Sequence, residues 1–182
     1  HRRVCLAALA AGRHAMTTKP MEASLAACDE MIAACNQANV NLAVVKTERF
    51  RKITKRAKEL IDEGAIGPVR MLRTISSFPA KLTREISETR GWMLDPRSSG
   101  LFFGMATHNA DFLRWLTGRN ATQAFAQVTT FTEDLPPAQS VMAQIAFEGG
   151  LMAHMWISSE FPAPGWPSSE VRFALSNDAL NT

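Results

Sequence analysis

Lys19 is the first residue in this chain whose type and position could support chemistry. The pair Lys19-Pro20 closes a short run with strand character, residues 14–18, and an alanine-rich helical pattern follows it. A lysine at the carboxyl end of a strand in a wound α/β sheet lies at the edge where such sheets bind ligands. Proline cannot continue central strand pairing, so the chain must turn out there. The position favours a ligand-facing lysine over an ordinary solvated lysine.

His108 is the second candidate, on a helix predicted over residues 101–116. Gly104, His108, Asp111 and Trp115 recur at i, i+4, i+7 and i+11, so they share one helix face. The histidine has a small residue one turn before it and a carboxylate one turn after it. From spacing alone, a catalytic histidine and a structural histidine held by Asp111 are equally compatible.

Two further residues, His154 and Trp92, lie in less specific surroundings. His154 alternates with Met152 and Trp156 in a predicted strand, which favours packing or a subunit contact at a sheet face over chemistry. Trp92 lies in an irregular segment before the helix and is a candidate to line a pocket. No spacing indicates a metal site, and the chain contains no G-x-S-x-G, P-loop or G-x-G-x-x-G motif.

Composition excludes several classes of protein. The 182 residues are 46% apolar with a formal charge of +3, which is typical of a globular chain and not of a disordered one. No apolar run is long enough for a membrane span, and the scattered basic residues argue against nucleic-acid binding. Three cysteines without a C-x-x-C pair suit a reducing, cytoplasmic setting. The chain starts inside an apolar helical pattern, so it is expected to be a fragment of a longer protein.

The first 45 residues predict alternating helix, strand, helix and strand, which is typical of a wound parallel sheet. Gly12 ends the first helix, and Ser24 caps a second that continues to about Asn39. The apolar run 41–45 predicts a parallel strand buried on both faces. The apolar stripe of the second helix is expected to consist of Leu25, Cys28, Met31, Ile32 and Cys35.

The pattern changes after residue 45, which divides the chain into predicted domains 1–45 and 46–182. A third helix, with Phe50, Ile53, Ala57, Leu60 and Ile61 on its apolar face, is followed by a strand over 69–78. Residues 79–100 are predicted to be irregular. After the helix that carries His108, four strands without intervening helices predict a largely antiparallel or mixed sheet: 123–131, 140–147, 151–159 and 171–175.

Several ordered motifs together resemble the Gfo/Idh/MocA family of nicotinamide-dependent oxidoreductases. The family pattern A-G-K-H-V-x-x-E-K-P resembles residues 11–20, and R-F after the last Rossmann strand resembles Arg49-Phe50. The pattern L-I-x-x-G-x-I-G-x-V-R matches residues 60–70 closely. The segment W-R-x-D-P-x-x-S-G-G followed by D-x-G-x-H-x-x-D resembles residues 92–111.

The resemblance implies the end of a Rossmann dinucleotide-binding domain followed by an α+β substrate-binding and oligomerisation domain. It implies NAD or NADP as cofactor, with the main binding segment upstream of His1, a sugar or polyol as substrate, and a homo-oligomer formed through the late sheet. The fragment by itself is then expected to be inactive. The resemblance implies catalytic roles for Lys19 and His108. It implies that the cofactor is bound by Thr18, Lys19, Pro20 and Trp92. It implies that the substrate is bound by Lys19, Trp92, Gly104, His108 and Asp111.

The chain departs from the family pattern at two positions. Thr18 replaces the glutamate before the lysine, and Gly104 replaces the aspartate one turn before the histidine. Two alternatives to a hydride-transferring dehydrogenase therefore stay open. One is a non-catalytic or cofactor-binding scaffold of the same fold. The other is a family member that uses NAD transiently for elimination or glycoside cleavage.

Overall fold

The computed structural model describes residues 1–77, 79–91, 100–135, 137–161 and 170–174. These residues form two compact units, His1–Thr47 and Glu48–Thr182. Among the helices that the structure describes, none is long and apolar enough to cross a lipid bilayer.

The first unit contains two helices and a two-stranded parallel sheet. Ser24 caps the second helix by accepting a hydrogen bond from the amide of Ala27 at 3.3 Å, and Asn39 ends it in the left-handed conformation. The strands pair with Ala15 opposite Leu42 and Thr17 opposite Val44. The predicted alternation of elements is confirmed: α1 (Arg2–Ala10), β1 (Ala15–Thr17), α2 (Leu25–Ala38) and β2 (Leu42–Val44).

The burial predicted for this unit is wrong in two places. Ala43, in the middle of β2, is exposed, so the strand is not buried on both faces. On α2 only Met31 is fully buried, whereas Leu25 and Ile32 face solvent. The reason is that only two strands and two helices surround these side chains within the unit.

The second unit is built around a five-stranded mixed sheet, as the sequence predicted. Strand order is β4-β5-β6-β3-β7, in which β3 and β6 are parallel and the other neighbours are antiparallel. A 3₁₀ turn, Thr47–Phe50, leads into the unit. Its elements are α3 (Lys52–Asp62), β3 (Met71–Ser77), α4 (Ala80–Thr89), α5 (Gly100–Thr117), β4 (Ala121–Thr129), β5 (Ser140–Phe147), β6 (Met152–Ser158) and β7 (Glu170–Ala174).

Helix α4 lies where an irregular segment was predicted. Pro79 occupies the N-cap position with extended backbone, which a proline adopts readily and which starts the helix. Thr83 faces inward and is almost completely buried, and its hydroxyl donates to the carbonyl of Ser159. Prolines and glycines flank residues 80–89 and are typical of loops, so this short amphipathic helix was not predicted from the sequence.

A second difference concerns α3. Phe50 and Ile53 were predicted on its apolar face, but both are mostly exposed, and Phe50 instead lies beneath the ammonium of Lys55 at 5.6 Å. Ala57 and Ile61 pack against the core, as predicted.

The core lies between α5 and one face of the sheet. Phe112, Leu113 and Leu116 of α5 are buried against strand residues that include Leu72 and Ala153. Met105 of the same helix packs on a second cluster, formed by Ala143, Met155 and Ile157. Burying these side chains supplies most of the free energy that fixes α5 on the sheet.

Glu160 closes the end of the sheet beside this core. Its carboxylate accepts hydrogen bonds from the amides of Phe131 and Thr132 at 2.7 and 2.6 Å, and from the hydroxyl of Ser140 at 2.6 Å. Burial alone would raise the pKa of Glu160, but these hydrogen bonds outweigh it and lower the pKa below its ordinary value. The carboxylate therefore anchors the segment after β4 to the end of β6.

Candidate functional site

Helix α5 positions the predicted histidine in the second unit. The helix is continuous over Gly100–Thr117, so Gly104, His108 and Asp111 lie on one face as the spacing indicated. His108 is half-buried, and its Nδ1 atom is shielded from solvent. One ring nitrogen of His108 therefore lies inside the protein, while part of the side chain remains accessible to solvent.

Asn109 fixes the position of α5 against strand β3. Its amide nitrogen donates to Ser76 Oγ at 3.0 Å and to the carbonyl of Met105 at 3.3 Å. Asn109 is buried, so these bonds also satisfy polar groups that water cannot reach. The residue next to His108 is therefore held by the sheet, which limits how far the imidazole can move.

Asp111 forms an ion pair that its spacing did not predict. Arg49 donates to both carboxylate oxygens, from Nε at 2.8 Å and from Nη2 at 2.5 Å. These hydrogen bonds raise the pKa of Arg49. The two-pronged geometry matches a guanidinium to a carboxylate and ties the 3₁₀ turn to α5. Asp111 thus acts in the structure as the partner of Arg49.

Lys19 lies in the first unit, two residues beyond the carboxyl end of β1. Thr17, the last residue of that strand, is buried, Lys19 is half-buried, and Thr18 is exposed. The peptide bond between Lys19 and Pro20 is cis. Burial and, secondarily, the charge of Lys46 lower the pKa of Lys19. Lys19 therefore loses its proton at a lower pH than an exposed lysine does.

The predicted site residues form two groups, one in each unit, except for Trp92. Thr18, Lys19 and Pro20 are consecutive after β1 in the first unit, and Gly104, His108 and Asp111 share the face of α5 in the second. Trp92 lies outside the described residues. Sequence reasoning missed two residues, Arg49 and Lys46. The R-F motif could have identified Arg49 as a candidate, and the position of Lys46 after a second parallel strand could have identified Lys46.

On the face of the sheet opposite α5, called here the open face, several apolar side chains are exposed to solvent. Seven residues of β3, β4, β5 and β6 define this open face: Met71, Arg73, Phe125, Met142, Gln144, Met152 and His154. His154 lies on this face with Met152, as the alternating pattern predicted, and its partners on the neighbouring strands are Arg73 and Gln144. Burial and then the charge of Arg73 lower the pKa of His154, so the imidazole is neutral near neutral pH.

Metal binding has no support among the described side chains. No group of three or more histidine, cysteine, aspartate or glutamate residues is arranged to hold an ion in the part of the chain that the structure describes. The described residues that were predicted to contact a cofactor or substrate include Thr18, Lys19, Pro20 and His108, and all four are at least partly accessible to solvent.

Known proteins resemble this chain in sequence and in fold. The model of the GFO/IDH/MocA C-terminal domain matches residues 54–175. A myo-inositol 2-dehydrogenase of Thermotoga maritima is 28% identical over 134 residues, which are 74% of this chain and 38% of that protein. The structure of a myo-inositol 2-dehydrogenase from Lactobacillus plantarum superposes with a TM-score of 0.84 at 22% identity, covering 97% of this chain and 52% of that one.

An inositol dehydrogenase homologue from Azotobacter vinelandii, solved with NAD⁺, superposes equally well. Its TM-score is 0.84 at 20% identity, covering 97% of this chain and 47% of that one. This chain thus spans about half, or less, of the length of the proteins that it matches. The match of the domain model over most of the chain shows that the chain belongs to the Gfo/Idh/MocA family of oxidoreductases.

Proposed function

We propose that this chain is part of a longer NAD(P)-dependent oxidoreductase that acts on a sugar, a polyol or a related hydroxy compound. Membership of the family carries the proposal. It is supported by relatives whose names describe myo-inositol 2-dehydrogenases, and by the half-buried Lys19 after the carboxyl end of a parallel strand. Nicotinamide, when bound, would accept the hydride from the carbinol carbon.

His108 is the proposed acid or base. Oxidation of an alcohol releases the hydroxyl proton as the hydride leaves, and an imidazole titrating near neutral pH can take it. Asn109 and the pair formed by Arg49 and Asp111 would hold α5, and so the imidazole, in one position. In the reverse reaction, the imidazolium would return the proton to the carbonyl oxygen of the ketone.

Lys19 is the proposed donor to the reacting oxygen. Negative charge grows on that oxygen as its proton leaves, and an ammonium hydrogen-bonded to it stabilises the transition state more than the ground state. The lowered pKa of Lys19 sets an upper pH limit on this role, because the deprotonated amine carries no positive charge.

Gly104 is the observation that favours the alternatives. It provides no carboxylate one turn before His108, where the family pattern has an aspartate. A scaffold that lost catalysis, or an enzyme that uses its nicotinamide transiently, would tolerate this change. Incubating the full-length protein with NAD⁺ or NADP⁺ and a panel of polyols, sugars and sugar acids tests the proposal. Accumulation of reduced cofactor with at least one substrate supports a dehydrogenase, and none with any substrate contradicts it.

We also propose that a second copy of the chain covers the open face of the sheet. Phe125, Met142 and Met152 are each more than half exposed there. A two-fold arrangement would bring the same apolar patch of both copies together, as isologous interfaces require. The neutral imidazole of His154 lowers the cost of burying that face near neutral pH.

Replacing Phe125 with glutamate is expected to convert the assembly to monomers, because two carboxylates would be buried without partners. Light scattering after size-exclusion chromatography measures the change in mass. Val128→Glu is the matched control, since Val128 is 51% exposed on the same strand but pairs with the buried Val141 on the other side of the sheet. A monomeric parent chain, or an unchanged assembly in Phe125→Glu, would refute this interface.

A further inference from the structure

Lys46 occupies a position equivalent to that of Lys19 on the neighbouring strand. The parallel register pairs Thr17 with Val44, and the carbonyl of Thr17 accepts a hydrogen bond from the amide of Val45 at 2.9 Å. Lys19 therefore lies two residues after the last residue of β1, and Lys46 lies two residues after the last residue of β2. Both side chains belong to the first unit, and both are half-buried.

The two ammonium groups are close enough to repel each other. The charge of Lys46 contributes to lowering the pKa of Lys19, after the larger effect of burial. An anion close to both ammonium groups is attracted by both charges, which favours its binding at this place. The carboxyl ends of parallel strands are also where α/β sheets bind their ligands.

The spacing of the strands indicates which anion suits the pair. Adjacent strands lie about 4.8 Å apart, so two lysines at equal offsets reach groups separated by a few bonds on one small molecule. If Lys19 binds the reacting hydroxyl, Lys46 reaches a substituent on a nearby carbon. A carboxylate at that position would accept a charge-assisted hydrogen bond from the ammonium group of Lys46.

We propose that Lys46 determines substrate choice by binding a carboxylate while Lys19 binds the neighbouring hydroxyl, so that the substrate is a hydroxy acid of the sugar-acid class. This inference rests on the proposed function for the identity of the ligand as substrate. The lysine pair itself lies within one unit of this chain, so binding of the acid is measurable without turnover or cofactor.

The test uses gluconate and glucitol, which share a polyhydroxylated six-carbon skeleton and differ in the carboxylate. The chain, with ¹³C-labelled lysine, is titrated with each compound and with inorganic phosphate, and the lysine ε-carbon signals are followed by NMR. Gluconate is expected to shift the signals of Lys19 and Lys46 with saturation, and glucitol is expected to leave them in place. Phosphate, which offers no hydroxyl-bearing carbon to Lys19, is expected to shift the signals only at a higher concentration than gluconate. Equal responses to gluconate and glucitol would overturn the carboxylate assignment, and so would equal or stronger binding of phosphate.

Three variants assign the effect to Lys46. Lys46→Met is expected to weaken gluconate binding about tenfold, because it removes one charge-assisted partner. Lys46→Arg keeps the charge and is expected to retain most of the affinity, which shows that a loss in Lys46→Met does not come from misfolding. Lys52→Met removes an exposed lysine from the start of α3 and leaves binding unchanged. Unaltered affinity in Lys46→Met would overturn the proposal, whether or not the full-length protein proves to be a dehydrogenase.

Discussion

Replacing His108 with alanine in the full-length protein lowers kcat by about 100- to 10,000-fold, the usual contribution of a positioned acid or base. The loss falls on kcat more than on KM, because the proton moves only as the hydride leaves. Steady-state assays of cofactor reduction over a range of pH measure both constants.

Two further variants separate proton transfer from packing around His108. His108→Gln keeps a polar side chain at the position but cannot exchange a proton near neutral pH, so its rate is expected to be as low as that of His108→Ala. His14→Gln changes an exposed histidine at the start of the first strand region and leaves the rate unchanged. If His108→Gln retains near-normal turnover, His108 is a structural residue and the acid–base assignment is wrong.

Replacing Lys19 with alanine is expected to lower kcat by about 100- to 1,000-fold, the effect of removing one donor to a developing oxyanion. Cofactor binding changes much less, because most of its contacts lie elsewhere. Single-turnover rates and cofactor titrations by fluorescence measure the two effects separately. An equal loss in both would assign Lys19 to cofactor binding instead.

The pH dependence of the Lys19 variants provides a second readout. Because burial and Lys46 lower the pKa of Lys19, its ammonium loses its proton at a lower pH than an ordinary lysine. The rate of the parent enzyme should therefore be sustained below that pKa and fall as pH rises through it. Lys19→Arg remains charged across the whole range, so whatever activity it keeps is expected to lack this alkaline decline. An alkaline limb that persists unchanged in Lys19→Arg would assign it to another group.

Much of the fold followed from the sequence because its signals are local. Ser24, Asn39 and Gly12 end or cap helices where the residue types predict. Alternation in β5 and β6 placed His154 on one sheet face. Helix α4 was missed because one short amphipathic pattern stood between Pro79 and Gly91, where local signals favour a loop.

Burial and long-range pairs were harder to predict. Leu25 and Ile32 have the periodicity of a buried stripe, but periodicity indicates which face is apolar and not whether another element covers it. The ion pair of Arg49 with Asp111 joins residues 62 positions apart, and neither local spacing nor composition carries that information. The position of Lys46 beside Lys19 depends on strand register, which the sequence pattern left unassigned.

The most direct test of the account is the fate of the hydrogen on the carbinol carbon of the substrate. The full-length protein is incubated with oxidised cofactor and a substrate deuterated at that carbon, and the cofactor and products are analysed by mass spectrometry. A dehydrogenase that uses His108 as acid or base is expected to give one deuterium per reduced cofactor, a slower reaction than with the unlabelled substrate, and loss of both signals in His108→Ala. Product formation without deuterium retained in the cofactor would contradict net hydride transfer and favour a transient use of nicotinamide.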